Sequence, residues 1–289
     1  MTIYQGYDLA ALDVQYDIEA TFDDLDSYRL EFGALSEQVL GSENIQLDVA
    51  YGSAPLQQID IFPAAPSGDA ASPIVVYIHG GYWKVGDKAS YRFPAKVFNA
   101  EGVTWITMNY RLAPDVTLDD IVDDVRSAIS WIYNNATDFK GDRDRIIVAG
   151  SSAGGHLTGM IAAQGWQSDY GLPENVIKGI TAASGLYDLT PFLHTSQKEY
   201  LKLDDASVQR NSPWHNLPRQ DLPMQIIWAG KETVEFMRQS QDYAKLCSSA
   251  GNLVNTLTYP EHNHFSLARE YTNPESDMVQ GVLKLIEAA

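Results

Sequence analysis

Residues 146–158 read IIVAGSSAGGHLT, and this run leaves the chain few local options. The apolar stretch Ile146-Ile147-Val148-Ala149 stops at Gly150-Ser151-Ser152-Ala153-Gly154, and a helix-compatible stretch from Gly155 to Ala163 follows. The pattern is G-x-S-x-G between a strand and a helix. So sharp a turn strains its central residue and lifts the Ser152 hydroxyl clear of the sheet. Side chains two positions to either side would collide with the neighbouring strand or helix, so glycine is needed there. Ser152 then stands at the amino end of a helix, where the dipole and free N–H groups favour developing negative charge. Ser152 is the candidate nucleophile.

The rest of the chain repeats the strand-then-helix alternation. Strands are predicted at 45–51, 58–62, 74–79, 103–109, 145–149, 177–183, 224–229 and 254–259. Helices are predicted at 28–40, 89–100, 118–134, after Ser152, at 234–250 and at 276–288. Apolar strands separated by crossover helices imply an α/β fold with a mostly parallel sheet covered on both faces. Residues 63–69, rich in Pro, Ala, Ser and Gly, read as a surface loop. The long interval at about 190–222 contains Pro191, Pro213 and Pro218 and reads as a small lid-like insertion. A single domain is expected over 1–289, with an acidic, aromatic amino-terminal segment at 1–44.

Charge narrows the partners. The 38 acidic and 20 basic residues leave a net charge of -18. Such a chain disfavours nucleic acid and anionic membrane surfaces. The opening residues lack a basic n-region and an apolar h-region, and no stretch is long and apolar enough for a membrane span. A cytoplasmic protein is expected. Its expected partners are a small-molecule substrate and, at most, a second copy of the chain. The single cysteine, Cys247, cannot form an intrachain disulfide and falls in a helical pattern, as a small core residue would.

A serine hydroxyl that attacks a carbonyl needs a base, the base needs an orienting acid, and the oxyanion needs donors. After the last strand the chain reads Tyr259-Pro-Glu-His262-Asn-His264-Phe-Ser266, which offers His262 and His264 as bases. His156 lies within the helix after Ser152, and His194 and His215 belong to the lid-like interval. Glu232 stands just past the penultimate strand, where an acid could meet the base. Glu235 falls in the next helix and reads as a surface residue. The residue after the nucleophile, Ala153, supplies one oxyanion N–H. Consecutive glycines in His79-Gly80-Gly81-Tyr82-Trp83, directly after a strand, allow bare backbone to approach a substrate carbonyl, with Gly81 and Tyr82 as further donors. His79 precedes the nucleophile and reads as a structural residue.

Four runs together carry a family resemblance: His79-Gly-Gly-Tyr-Trp83, Asn109-Tyr-Arg-Leu-Ala-Pro114, Gly150-Ser-Ser-Ala-Gly-Gly-His156 and His264-Phe265. They resemble the α/β-hydrolase superfamily, on the side that joins hormone-sensitive-lipase-like esterases to arylformamidases (kynurenine formamidases). The Tyr-Trp after the glycines, Glu232-Thr-Val-Glu-Phe236 with Gln239-Ser240, and Leu12-Asp-Val-Gln-Tyr16 are similar to the formamidase group. The resemblance implies an α/β-hydrolase fold, His264 as base and Glu232 as acid. The acid is commonly aspartate in that group, and the residue before the nucleophile, here Ser151, is often histidine. It further implies a serine hydrolase of a small amide or ester, foremost an N-formyl or N-acyl arylamine; the alternative is a short-chain carboxylesterase. No metal or organic cofactor is required. Trp83 and Tyr82 are expected to wall the acyl pocket. Tyr187, with Phe192 and Trp214 of the lid, is expected to face an aromatic leaving group. Arg111 is expected in a structural ion pair.

Overall fold

Successive side chains in a strand point to opposite faces, and here both faces are apolar. Strand β3 (Ser72–Ile78) sends Ile74, Val76 and Ile78 to one hydrophobic cluster and Val75 and Tyr77 to another. The same division runs through β4 (Thr104–Met108), β5 (Gly141–Ser151), β6 (Ile177–Ala183) and β7 (Pro223–Ala229). A strand buried on both sides must be covered twice, and the computed structural model supplies both layers. It describes residues 2–21, 24–41, 44–64 and 70–289. Positions 65–69 of the expected 63–69 loop lie outside the described residues.

With β1 (Gln46–Ala50), β2 (Gln58–Phe62) and β8 (Leu253–Tyr259), the sheet has eight strands in the order β1-β2-β4-β3-β5-β6-β7-β8. Strand β2 runs antiparallel to β1 and β4, and every pairing from β4 to β8 is parallel. One face is covered by α1 (Leu9–Tyr16), α4 (Leu118–Asn135), α5 (Ala153–Ala162) and α8 (Val234–Ser249). The other carries α2 (Leu25–Glu37), α3 (Ala95–Ala100) and α9 (Asp277–Glu287). This is the mostly parallel, doubly covered sheet expected from the sequence.

Strand β5 starts four residues before the expected 145, and three helical segments depart from the expected elements. The helix predicted at 89–100 is broken into a short 3-10 turn, Lys88–Tyr91, and α3. Pro94 stands at the α3 N-cap, where its ring disfavours helical backbone at Phe93 and it has no N–H to continue a helix from upstream. Lys88 is also drawn inward, its ammonium bonded to Asp60 at 2.7 Å and Asp48 at 2.6 Å. Helix α2 begins and ends earlier than 28–40, starting at Leu25 just after Asp24, whose carboxylate accepts from Ser27 N–H. Helix α1 was not expected at all, because its apolar residues show almost no one-sided helical pattern.

The interval 190–222 contains a 3-10 turn, Thr190–His194, and the short helices α6 (Gln197–Leu201) and α7 (Asp205–Asn211). Its apolar residues Phe192, Leu201 and Val208 join the core shared by α1 and α4. Among the described residues, no helix is long and apolar enough to cross a membrane.

Candidate active site

The carboxyl ends of the parallel strands bring the candidate residues together. Gly80 and Gly81 follow β3, Ser152 follows β5, Glu232 follows β7 and His264 follows β8. Open α/β sheets place their ligands at this edge.

Ser152 has φ 60° and ψ −123°, a conformation that L side chains rarely adopt and that costs on the order of 1–3 kcal/mol. Its surroundings hold it there. Its N–H donates to Ala183 O at 2.9 Å, and its carbonyl accepts from His156 N–H at 3.0 Å. The glycines of the motif are steric necessities. A Cβ on Gly154 would lie 2.0 Å from Ile78 O, and one on Gly150 would lie 2.4 Å from Gly154 O. Strand β3 and helix α5 could not pack so closely around a larger residue.

His264 Nδ1 lies 2.5 Å from Glu232 Oε1, and both residues are buried. A carboxylate only accepts, so Nδ1 carries the proton and Nε2 is left as the basic nitrogen. The other carboxylate oxygen, Oε2, accepts from Ala229 N–H at 3.2 Å. Phe236 packs edge-on against the imidazole, with centroids 5.0 Å apart. The rival histidine is occupied elsewhere: His262 contacts Ser266 Oγ through Nδ1 and Glu270 through Nε2.

Glu235 is not the surface residue that its helical position suggested. It is buried on α8, accepts from Tyr16 OH at 3.1 Å and pairs with Arg238 at 2.7 Å. Helix α1 covers this face of α8, which the sequence pattern did not reveal. The contrast makes a test. Glu232→Gln is expected to lower kcat by roughly several hundredfold, because the charge that stabilises imidazolium is lost while the shape is kept. Glu235→Gln breaks a buried ion pair, so it is expected to lower the melting temperature with much less effect on kcat. Parallel kinetics and thermal melts of the two variants decide which glutamate serves the histidine; the opposite ranking would reassign the acid.

The glycine loop is tightly wound. Gly81, Tyr82 and Trp83 all have positive φ, at 116°, 51° and 56°. Gly81 O accepts from the N–H groups of Lys84 and Val85 at 3.0 Å each. His79 is buried beneath the loop, its Nδ1 2.7 Å from Gly80 O and its ring stacked on Tyr110. Burial pushes the His79 pKa down, so the ring stays neutral.

Ser152, His264, Gly81 and Tyr82 line one cavity of about 280 Å³. Beside polar Asp87, Ser90 and Ser151, four aromatic side chains add to its walls. Tyr28 and Phe32 come from α2, Tyr91 from the turn before α3, and Phe265 from beside the histidine; Ile18, Glu19 and Arg29 complete the amino-terminal side. Sequence reasoning missed this contribution. The signal was present as aromatic residues inside an otherwise acidic amino-terminal segment, where soluble chains have little use for them unless they are covered.

Trp83 and Tyr187, expected to touch substrate, do not line this cavity and have no exposed surface. The Trp83 indole donates to His156 Nδ1 at 3.1 Å and packs edge-on against Phe192. Two successive left-handed residues turn its side chain under the loop and into the core. Tyr187 stacks on Tyr243 with centroids 4.1 Å apart. Phe192 is buried against Tyr16, and half-buried Trp214 also lies away from the cavity. The 190–222 segment instead borders an adjoining cavity of about 580 Å³ through Ser196, Gln197 and Tyr200. His156 joins this segment to the loop: Nδ1 accepts from Trp83, so Nε2 donates to Asn211 O at 2.6 Å. Its burial pushes its pKa down to about 4. Arg111 makes the expected ion pair, gripping the buried Asp124 carboxylate at 2.7 Å.

A profile of the BD-FAE family matches residues 59–246, well over half of the chain. The chain belongs to the BD-FAE family of α/β-hydrolases. This BD-FAE chain is 31% identical over 258 residues to the kynurenine formamidase of Salmo salar, covering 87% of the present chain and 85% of the relative. A solved Silicibacter structure that carries a provisional thioesterase assignment is 27% identical, superposes with a TM-score of 0.81 and covers 94% of the BD-FAE chain and 98% of its own. A phosphonate-inhibited esterase B from Lactobacillus rhamnosis shares the fold, with 22% identity, a TM-score of 0.72 and coverage of 94% and 97%. The BD-FAE protein is a hydrolase.

Proposed function

We propose that this hydrolase removes a formyl or short acyl group from an aryl amine through an acyl-enzyme on Ser152. The observation that carries the reading is His264, paired with the buried Glu232 carboxylate and lining, with a strained serine, a cavity that also holds four aromatic side chains from outside the glycine loop. The relation to a kynurenine formamidase supports the choice of an aryl formamide over other carbonyl substrates.

In the proposed cycle Ser152 Oγ attacks the carbonyl carbon and its proton passes to His264 Nε2. Negative charge gathers on the carbonyl oxygen, where the N–H groups of Gly81, Tyr82 and Ala153 are the proposed donors. Donors fixed in place before the reaction cost no reorganisation, and each is typically worth about 10²–10³ in rate. Glu232 stabilises the imidazolium that forms. The tetrahedral species collapses, His264 Nε2 protonates the departing amine, and the acyl group stays on Ser152. Water then attacks the ester with His264 as base, the acid departs, and Ser152 regains its proton. The aromatic side chains Tyr28, Phe32, Tyr91 and Phe265 give a planar leaving group apolar surface to stack on.

The test is kcat/KM over matched acyl series, formyl to hexanoyl, as arylamides and as aryl esters. Formyl and acetyl arylamides are expected to lead, since one methylene in a confined pocket changes specificity by about 10–200-fold. An optimum among propionyl or butyryl esters would favour a short-chain carboxylesterase. An optimum at hexanoyl would reject the small acyl pocket altogether.

A further inference from the structure

The residues that flank His264 are held by helix α2, which lies far away in the chain. Asn263 precedes His264 and Phe265 follows it. The Asn263 amide has a defined orientation. Its Oδ1 accepts from Phe265 N–H at 3.1 Å and Ser266 N–H at 2.7 Å, and its Nδ2 donates to the Tyr28 hydroxyl at 2.9 Å. The Phe265 ring stacks on the Tyr28 ring, with centroids 6.1 Å apart. Beyond it the Arg269 guanidinium sits 5.0 Å over the Tyr28 ring and grips Glu31 at 2.6 Å. Tyr28 and Glu31 are three residues apart on α2 and so share one helical face. That face also supplies Tyr28 and Phe32 to the cavity wall.

A catalytic imidazole must be fixed at two places. Glu232 fixes the Nδ1 end of the ring. The backbone turn that carries the Cα is fixed by its neighbours, and here those neighbours are Asn263 and Phe265. We infer that Tyr28 is a positioning residue: acting through Asn263, it holds the turn that carries His264 and so couples the seating of α2 over the cavity to the alignment of the base. The inference rests on the reading of His264 as that base. Small misplacements of a catalytic group are costly in rate, so the coupling acts on kcat more than on binding.

Tyr28→Phe keeps the ring, its stacking and the cavity wall, and removes only the acceptor for Asn263. It is expected to lower kcat about fivefold, the scale of one neutral hydrogen bond, with KM within about twofold. The rate at which a small organophosphate labels Ser152 is expected to fall in parallel, because it reads the activated serine without the leaving-group pocket. Asn263→Ala is expected to cost more, since the contacts to Phe265 and Ser266 go too. Adding Tyr28→Phe to Asn263→Ala is then expected to cost nothing further. Unchanged kcat in Tyr28→Phe, or losses that multiply in the double variant, would overturn the inference. His264→Ala in the same assay separates the two readings. If it retains turnover, the base is misassigned and the inference falls with it. If it abolishes turnover while Tyr28→Phe is silent, only the positioning role falls.

Discussion

Ser152→Ala is expected to lower kcat by on the order of 10³-fold or more while the protein stays folded. The turn does not depend on the hydroxyl. Its geometry follows from the close approach of Gly154 to β3 and of Gly150 to α5, and from the backbone bonds of Ser152 to Ala183 and His156. Alanine has a Cβ like serine and suffers the same strain at φ 60°. The comparison to make is kcat beside the thermal midpoint of wild type and variant. Activity within tenfold of wild type, in a variant that melts normally, would remove Ser152 from the mechanism.

His264→Ala is expected to match that loss, and His262→Ala to cost at most about tenfold. Residues that act as one unit lose most of their effect when any one is removed, so the serine and histidine variants should be similar and the double variant little worse. His264 is buried against the Glu232 carboxylate, whereas His262 spends its two nitrogens on Ser266 and Glu270. Loss of His262 loosens the turn after His264 without removing a proton acceptor. Steady-state kinetics of the two single variants and of Ser152→Ala/His264→Ala check both statements. A larger loss at His262 would mean that the loop presents the other histidine to the serine.

Local spacing made the sheet and the candidate triad legible. Strands β2, β6 and β7 fall within one residue of their expected bounds, because apolar runs bounded by glycine, proline and polar turns admit few alternatives. Ser152, Glu232 and His264 each follow a strand closely, so a parallel sheet brings them to one edge whatever the helices do. Trp83 lies away from the cavity for a local reason. It adjoins the candidate oxyanion-hole glycines in sequence, but positive φ at Tyr82 and Trp83 reverses the side chain into the core, where it meets His156.

What the sequence by itself determined is the order of strands and crossovers, the glycine-bounded serine turn, and the candidate partners at the following strand ends. Each depends on residues adjacent in the chain. The tertiary structure alone decided what surrounds the site. It turned Glu235 inward to meet Tyr16, 219 residues away in sequence, and set Tyr28 against Asn263, 235 residues away. Such contacts depend on which faces of α1 and α2 find apolar surface to cover. Helix α1 has almost no one-sided pattern to announce its face. The wall of the cavity was therefore settled by packing between distant segments, where no local spacing rule applies.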